Sequence, residues 1–323
     1  MKKILFFLAV FFAVHSVSAA EYIEGRIRLV INEGTGRFSL FYMADMGREE
    51  YLPLFLDQDP RTSFLSLMAN NRSYRLGETS AFKTSLGGTP SNPALIFESP
   101  SLTVTEEFSF IKTSASSQAN GVQITITISN SGERSVEAGI RLLIDTTLGE
   151  KNPSHFSTDL RQINNETVID SSSADNYWVS KSSRVSLIGS VEGLNPQDYL
   201  HFANWKRLND ASWKIPPVPG RNFNFLPYSI DDSAVCYYYE PAVIPRGGSR
   251  TITLVLSSGD EPGFTQTSSV SEDSTASIRA DLKTLRELAV RLDEYSISGT
   301  ATDEELAAIG LLISRIRSKY GIP

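Results

Sequence analysis

From Glu21 to Ser258 the chain keeps a period of two, and no amphipathic run of about 12 residues at helical period interrupts it. The clearest stretch is Val122–Asn130: Val122, Ile124, Ile126 and Ile128 share one face, with Gln123, Thr125 and Thr127 on the other. Alternation of that kind makes a half-buried strand, and β-branched residues on both sides favour the pleated backbone. Ile23, Ile27, Leu29 and Ile31 alternate with Glu24, Arg26, Arg28 and Asn32. The turn residues Asn32-Glu33-Gly34-Thr35-Gly36 and the alternating Phe38, Leu40 and Tyr42 then complete a hairpin. Leu102, Val104, Phe108 and Phe110 follow the same period, with Glu106 the polar exception in register. Asn130-Ser131-Gly132-Glu133 turns the chain into Val136–Ile144, and Ala234–Tyr239 and Thr251–Leu256 are two further strands. The pattern predicts a mainly β fold, a large antiparallel β-sandwich over residues 21–258.

Beyond it the period changes. Residues 259–275 are polar and rich in small side chains, as a linker is. Ile278, Leu282, Leu285, Ala289 and Leu292 are then spaced for one helical face. Thr302 opens a capping box closed by Glu305, ahead of a second stripe of Leu306, Ile309, Ile313, Ile316 and Tyr320. Residues 276–323 are therefore expected to form a C-terminal α-helical hairpin. Two short helices cannot bury both stripes alone. Leu282, Leu285, Leu292, Ile309, Ile313 and Ile316 are thus the candidate interface for a protein partner or a second copy, giving a homo-oligomer.

At the other end, Lys2 and Lys3 precede a wholly apolar Ile4–Val14 and a closing run of small residues, with Val17-Ser18-Ala19 or Ser18-Ala19-Ala20 as the cleavage signature. This is the pattern of a secretory signal peptide over residues 1–20. No Cys lies near the cleavage point to carry a lipid. Cleavage removes two lysines and no acid, so the formal charge goes from −7 to −9, and no transmembrane anchor is expected to remain. An acidic chain without a basic run is a poor partner for nucleic acid. The lone Cys236 forms no internal disulfide, and an exported chain of 323 residues without one fits a bacterial envelope. The periplasm is the expected location, with secretion as the alternative.

Three stretches resemble the galactose-mutarotase-like supersandwich of many carbohydrate-active proteins: residues 122–149, residues 201–205 (HFANW) and residues 228–259. The arrangement is also similar to that of exported bacterial proteins, spirochaetal ones among them. The resemblance implies the fold, and for its epimerase members two histidines and a carboxylate that open a sugar ring. Only His155 and His201 follow the signal segment, so both would have to serve, with a carboxylate such as Asp231.

Direct motifs are few. HxH, HExxH, CxxC and GxSxG are absent, so no metal, cofactor or catalytic residue is assigned. Adjacent acids such as Glu106-Glu107 and Asp231-Asp232 point to opposite faces of a strand and make no dyad by themselves. Asp145, ending the apolar run RLLID, is the acid expected to be buried. All three tryptophans fall between Asn176 and Tyr239 amid a dense set of other aromatics. Aromatic rings stack on the C–H faces of sugars, and nearby polar groups read hydroxyls. Trp178, His201, Trp205, Trp213, Arg221, Tyr228 and Asp231 are the ligand-binding candidates, with Trp213 expected to be the most exposed. The main expectation is a non-enzymatic envelope module that binds a glycan or an envelope protein. The alternative is a carbohydrate-active enzyme of aldose-epimerase or polysaccharide-lyase type.

Overall fold

The computed structural model describes residues 19–259, apart from 57–60, 114–115, 117, 192–193 and 196. The chain divides into two compact units, Met1–Thr267 and Ser268–Pro323, and all described residues belong to the first. Residues 1–18 of the expected signal segment, and the whole of the expected helical hairpin with its six interface candidates, lie outside the described residues.

The described chain is mainly β. It opens with β1 (Ala19–Glu24), β2 (Ile27–Asn32), β3 (Arg37–Asp45) and β4 (Glu50–Pro53), an antiparallel sheet in that order. Next come β5 (Phe64–Ala69), β6 (Arg72–Arg75), β7 (Lys83–Gly88), β8 (Pro93–Glu98), β9 (Leu102–Ile111), β10 (Gly121–Asn130) and β11 (Val136–Asp145). The short strands β12 (Phe156–Thr158), β13 (Gln162–Ile163), β14 (Thr167–Asp170), β15 (Tyr177–Lys181) and β16 (Ser186–Ser190) follow. The last elements are β17 (Tyr199–Asn204), α1 (Trp205–Asp210), β18 (Ser233–Ile244) and β19 (Ser249–Ser257). They build a nine-stranded sheet, β13-β12-β15-β16-β19-β10-β9-β8-β7, and a six-stranded sheet, β14-β17-β18-β11-β5-β6, both antiparallel.

The strands take their places for the reason the alternation gives. Val122, Ile124, Ile126 and Ile128 are fully buried, while Gln123, Thr125 and Thr127 line the outer face of β10. β10 pairs with β9 on one side and β19 on the other, Thr127 facing Thr105 and Thr251. All three sheets share one core, from Leu29 and Leu40 through Ile126 and Ile252 to Leu142 and Tyr237.

The six-stranded sheet is covered on its second face as well. Phe64, Leu143, Ala234, Cys236 and Tyr238 pack there under Leu208 of α1 and Trp213. A sheet buried on both faces carries near-continuous apolar runs rather than alternation, as in RLLID of β11 and AVCYYY of β18. Arg141 is the exception in that run, and it is spent on the covering segment. Its guanidinium donates to the carbonyls of Leu208 and Ala211 (3.0 Å to the latter) and lies 3.3 Å from Cys236 Sγ. The arginine thus ties α1 and the chain after it onto the sheet.

Candidate functional site

Chemistry-bearing side chains gather at one end of the six-stranded sheet, where β11 finishes at Asp145 and β18 starts at Ser233. The register pairs Asp145 with Ala234, and Asn204 at the end of β17 with Ser233. Three neighbouring strand ends therefore bring distant parts of the sequence to one place. Asp145, Glu150 and Asp232 each offer a carboxylate oxygen there, all within 4.8 Å of one another.

Local geometry fixes each group. The Asp145 N–H donates to Ser63 Oγ at 2.9 Å, and its carbonyl accepts from Leu56 N–H at 3.0 Å. Gly149 lies against the carbonyl of His155, so close that a Cβ would stand 1.9 Å from that oxygen, and no other residue could bring Glu150 round the turn. Glu150 Oε1 accepts from the Ser233 N–H at 3.2 Å, and Ser233 Oγ bonds His155 Nδ1 at 2.9 Å. The His155 ring stacks on Phe223 at 4.9 Å. Asn204 Nδ2 donates to Phe223 O, Ser229 Oγ and Asp232 O, closing the 223–232 loop over the sheet end.

Electrostatics at this end are unusual. Burial pushes the Asp145 carboxyl up to about 7; the Thr62 hydroxyl pulls the other way, and the charges of Asp232 and Glu150 add to the rise. Burial also takes Glu150 up to about 7, opposed by the Ser233 N–H. Asp232 is raised for the same first cause. His155 is lowered by burial, with Asp231 partly offsetting it, so its imidazole is neutral at neutral pH. The loop beside these groups is apolar and exposed: Leu226, Tyr228 and Ile230 are 69%, 67% and 69% accessible. Tyr228 stacks on Phe225 at 5.5 Å, and Lys206 Nζ lies 5.4 Å from its ring centre.

The sequence candidates divide. Tyr228 and Asp231 are exposed on this loop, and half-buried Trp205 stands beside it, donating from its indole to Thr62 O and from its backbone to Asp232 O. Arg221 is half-buried, its backbone engaged with Glu166 and Val218. The other three are corrections. Trp178 is fully buried, its Nε1 donating to Tyr237 Oη at 2.7 Å, and Gly189 is bare because a Cβ would collide with that indole. Trp213, expected to be the most exposed, is 7% exposed and packs edge-on against Tyr238. His201 is wholly inside; its Nε2 meets Glu166 at 3.1 Å, while Arg207 holds the other oxygen of that acid. It cannot touch a ligand from there. Phe223 belongs to the aromatic window, but Glu150 and Ser233 carry no signal in the sequence, since nothing in the chain links residues 145–155 to residues 223–233.

No protein-family model matches the chain, and no curated protein matches it in sequence. Solved structures do resemble it in fold. The GalM/aldose epimerase homologue from C. elegans is 9% identical with a TM-score of 0.46, over 76% of this chain and 100% of that one. A galactose mutarotase-like protein from Lactobacillus casei is 8% identical with a TM-score of 0.45, over 75% and 100%. A polysaccharide lyase is 8% identical with a TM-score of 0.41, over 75% of this chain and 33% of its own. The chain thus has a weak resemblance to the galactose mutarotase-like aldose epimerases. The resemblance is one of fold.

Proposed function

We propose that this chain is a carbohydrate-active protein of the aldose-epimerase type, working at the β11–β18 end of the six-stranded sheet. The observation that carries the reading is His155. It is a neutral imidazole, 8% exposed, held through Nδ1 by Ser233 at the edge of acidic groups and an exposed aromatic loop. When Nδ1–H donates to Ser233, Nε2 carries the lone pair that a general base needs. In ring opening of an aldose, that base takes the proton of the anomeric hydroxyl as the bond from C1 to the ring oxygen breaks. The ring oxygen takes a proton from water, and closure on the other face reverses both transfers. Tyr228 offers an aromatic surface for the C–H face of a sugar, and the carboxyls offer acceptors for its hydroxyls.

Export through the first 20 residues, an envelope location and a partner for the C-terminal apolar stripes belong to the same proposal and rest on the sequence pattern. The test is calorimetric titration with a panel of aldoses, uronic acids and oligosaccharides. The reading predicts binding that Tyr228→Ala weakens by about tenfold, the worth of one aromatic contact. Binding by neither the intact chain nor any variant would overturn it.

A further inference from the structure

We propose that Asp145, Glu150 and Asp232 form a site for a divalent cation of the oxygen-seeking class, Ca2+ in preference to Mg2+. This goes beyond the carbohydrate reading and does not depend on it. The cluster alone would not carry the inference; the state of Asp145 does. That residue is 2% exposed, one of its carboxylate oxygens belongs to the cluster, and its Oδ1 has no hydrogen-bond partner. The Thr62 hydroxyl, also buried, lacks a well-formed partner too. A buried carboxylate with an unmet oxygen costs free energy unless something positive or hydrogen-bonding meets it.

Three other buried acids find that partner within the chain, whereas Glu106, whose Oε1 is also unmet, belongs to no cluster of acids that could share an ion among the described residues. Buried Glu166 is held by Arg207 and His201, Asp175 by Arg161 at 2.7 Å, and Asp198 faces Arg250 at 3.7 Å. Among the described residues, Asp145, Glu150 and Asp232 form no ion pair with Arg, Lys or His. The positive charge is left to come from outside.

The donor set selects the ion. Three carboxylates without His or Cys suit a hard cation rather than zinc or copper. Ca2+ holds its oxygens at about 2.3–2.6 Å, so oxygens on opposite sides of it lie roughly 4.6–5.2 Å apart. Three oxygens within 4.8 Å of one another can share one such ion. Mg2+ demands near-octahedral geometry at about 2.0–2.1 Å and gives up its waters reluctantly, so it is the weaker competitor for a cage of protein carboxylates. Glu150 Oε1 is engaged by Ser233, leaving Oε2 for the ion. A cation here leaves His155 free for its own chemistry.

The test uses the full chain and the metal alone. Terbium luminescence excited through the indole of Trp205, beside Asp232 and Thr62, reports the site directly, with Ca2+ and Mg2+ as competitors. The expected result is terbium emission displaced by Ca2+ at lower concentration than by Mg2+, with affinity falling at least about tenfold in Asp145→Asn and in Asp232→Asn. Thermal melts keep the variants interpretable. In chelator each variant should melt at or above the parent, because a buried charge has been removed, and Ca2+ should raise the melting temperature of the parent alone. No emission and no Ca2+-dependent shift up to about 10 mM, beyond the weak end of extracellular calcium sites, would overturn the proposal. Binding that survives both substitutions would overturn it as well. Metal binding without carbohydrate binding, or the reverse, separates this inference from the functional reading above.

Discussion

Glu106 sits on β9 between Val104 and Phe108, its side chain turned into the core and its Oε1 without a hydrogen-bond partner. Burial alone pushes its carboxyl from 4.5 up to about 8. A raised folded-state value means that the folded chain keeps a proton which the unfolded chain gives up. The contribution of Glu106 to stability is therefore present in full below about pH 4.5 and is lost as the pH rises towards 8. Over that window it steepens the fall of stability by up to about 1.4 kcal/mol per pH unit. Glu106→Gln should flatten the fall and raise the urea midpoint at pH 8 more than at pH 5. Equal shifts at both pH values would contradict the assignment. Gly149 makes the matching case at the sheet end. Gly149→Ala should move Glu150 away from Ser233 and destabilise the chain by about 1–3 kcal/mol, the usual cost of forced overpacking, and a denaturation midpoint unchanged from the parent would refute it.

At the scale of elements, β18 explains why the aromatic window misled the reading from sequence. Tyr237 and Tyr239 enter the main core while Tyr238 enters the cluster under α1, so both faces of one strand are filled with rings. A dense aromatic run looks the same whether it faces a ligand or a second layer of protein. What decides is the covering segment, α1 and Trp213, and nothing local in residues 205–213 announces that it lies on β18. Arg141 is the fastening. Arg141→Met removes the donor to Leu208 O and Ala211 O and should cost about 3 kcal/mol or more. Because Cys236 lies beneath the same cover, the variant should also expose its thiol to labelling under native conditions, where the parent is inert. A variant that loses stability without faster labelling would mean that the cover is held by something else. Trp178→Ala, in the main core, should cost about 3–5 kcal/mol in chemical denaturation; a loss below about 1 kcal/mol would return that indole to the surface.

For the whole molecule, the strands were legible because one sheet face is wet: β2, β9 and β10 alternate faithfully, and even Glu106 stood out as the wrong residue in register. Asp145 was legible as a buried acid for a similar reason, since it ends an apolar run. The site was not legible, because it is assembled by strand order rather than by spacing. Residues 145–155 meet residues 204 and 223–233 only where β11, β18 and β17 end side by side. The central claim is that His155 at this meeting point moves a proton on a sugar. Its most direct test is exchange NMR of α and β anomers across the aldose panel, comparing the parent with His155→Gln. The account predicts that the parent accelerates exchange of at least one sugar, and that the substitution lowers the acceleration by about 100-fold, the low end for loss of a general base. Exchange no faster with the parent than in buffer, or an acceleration unchanged in His155→Gln, would contradict it.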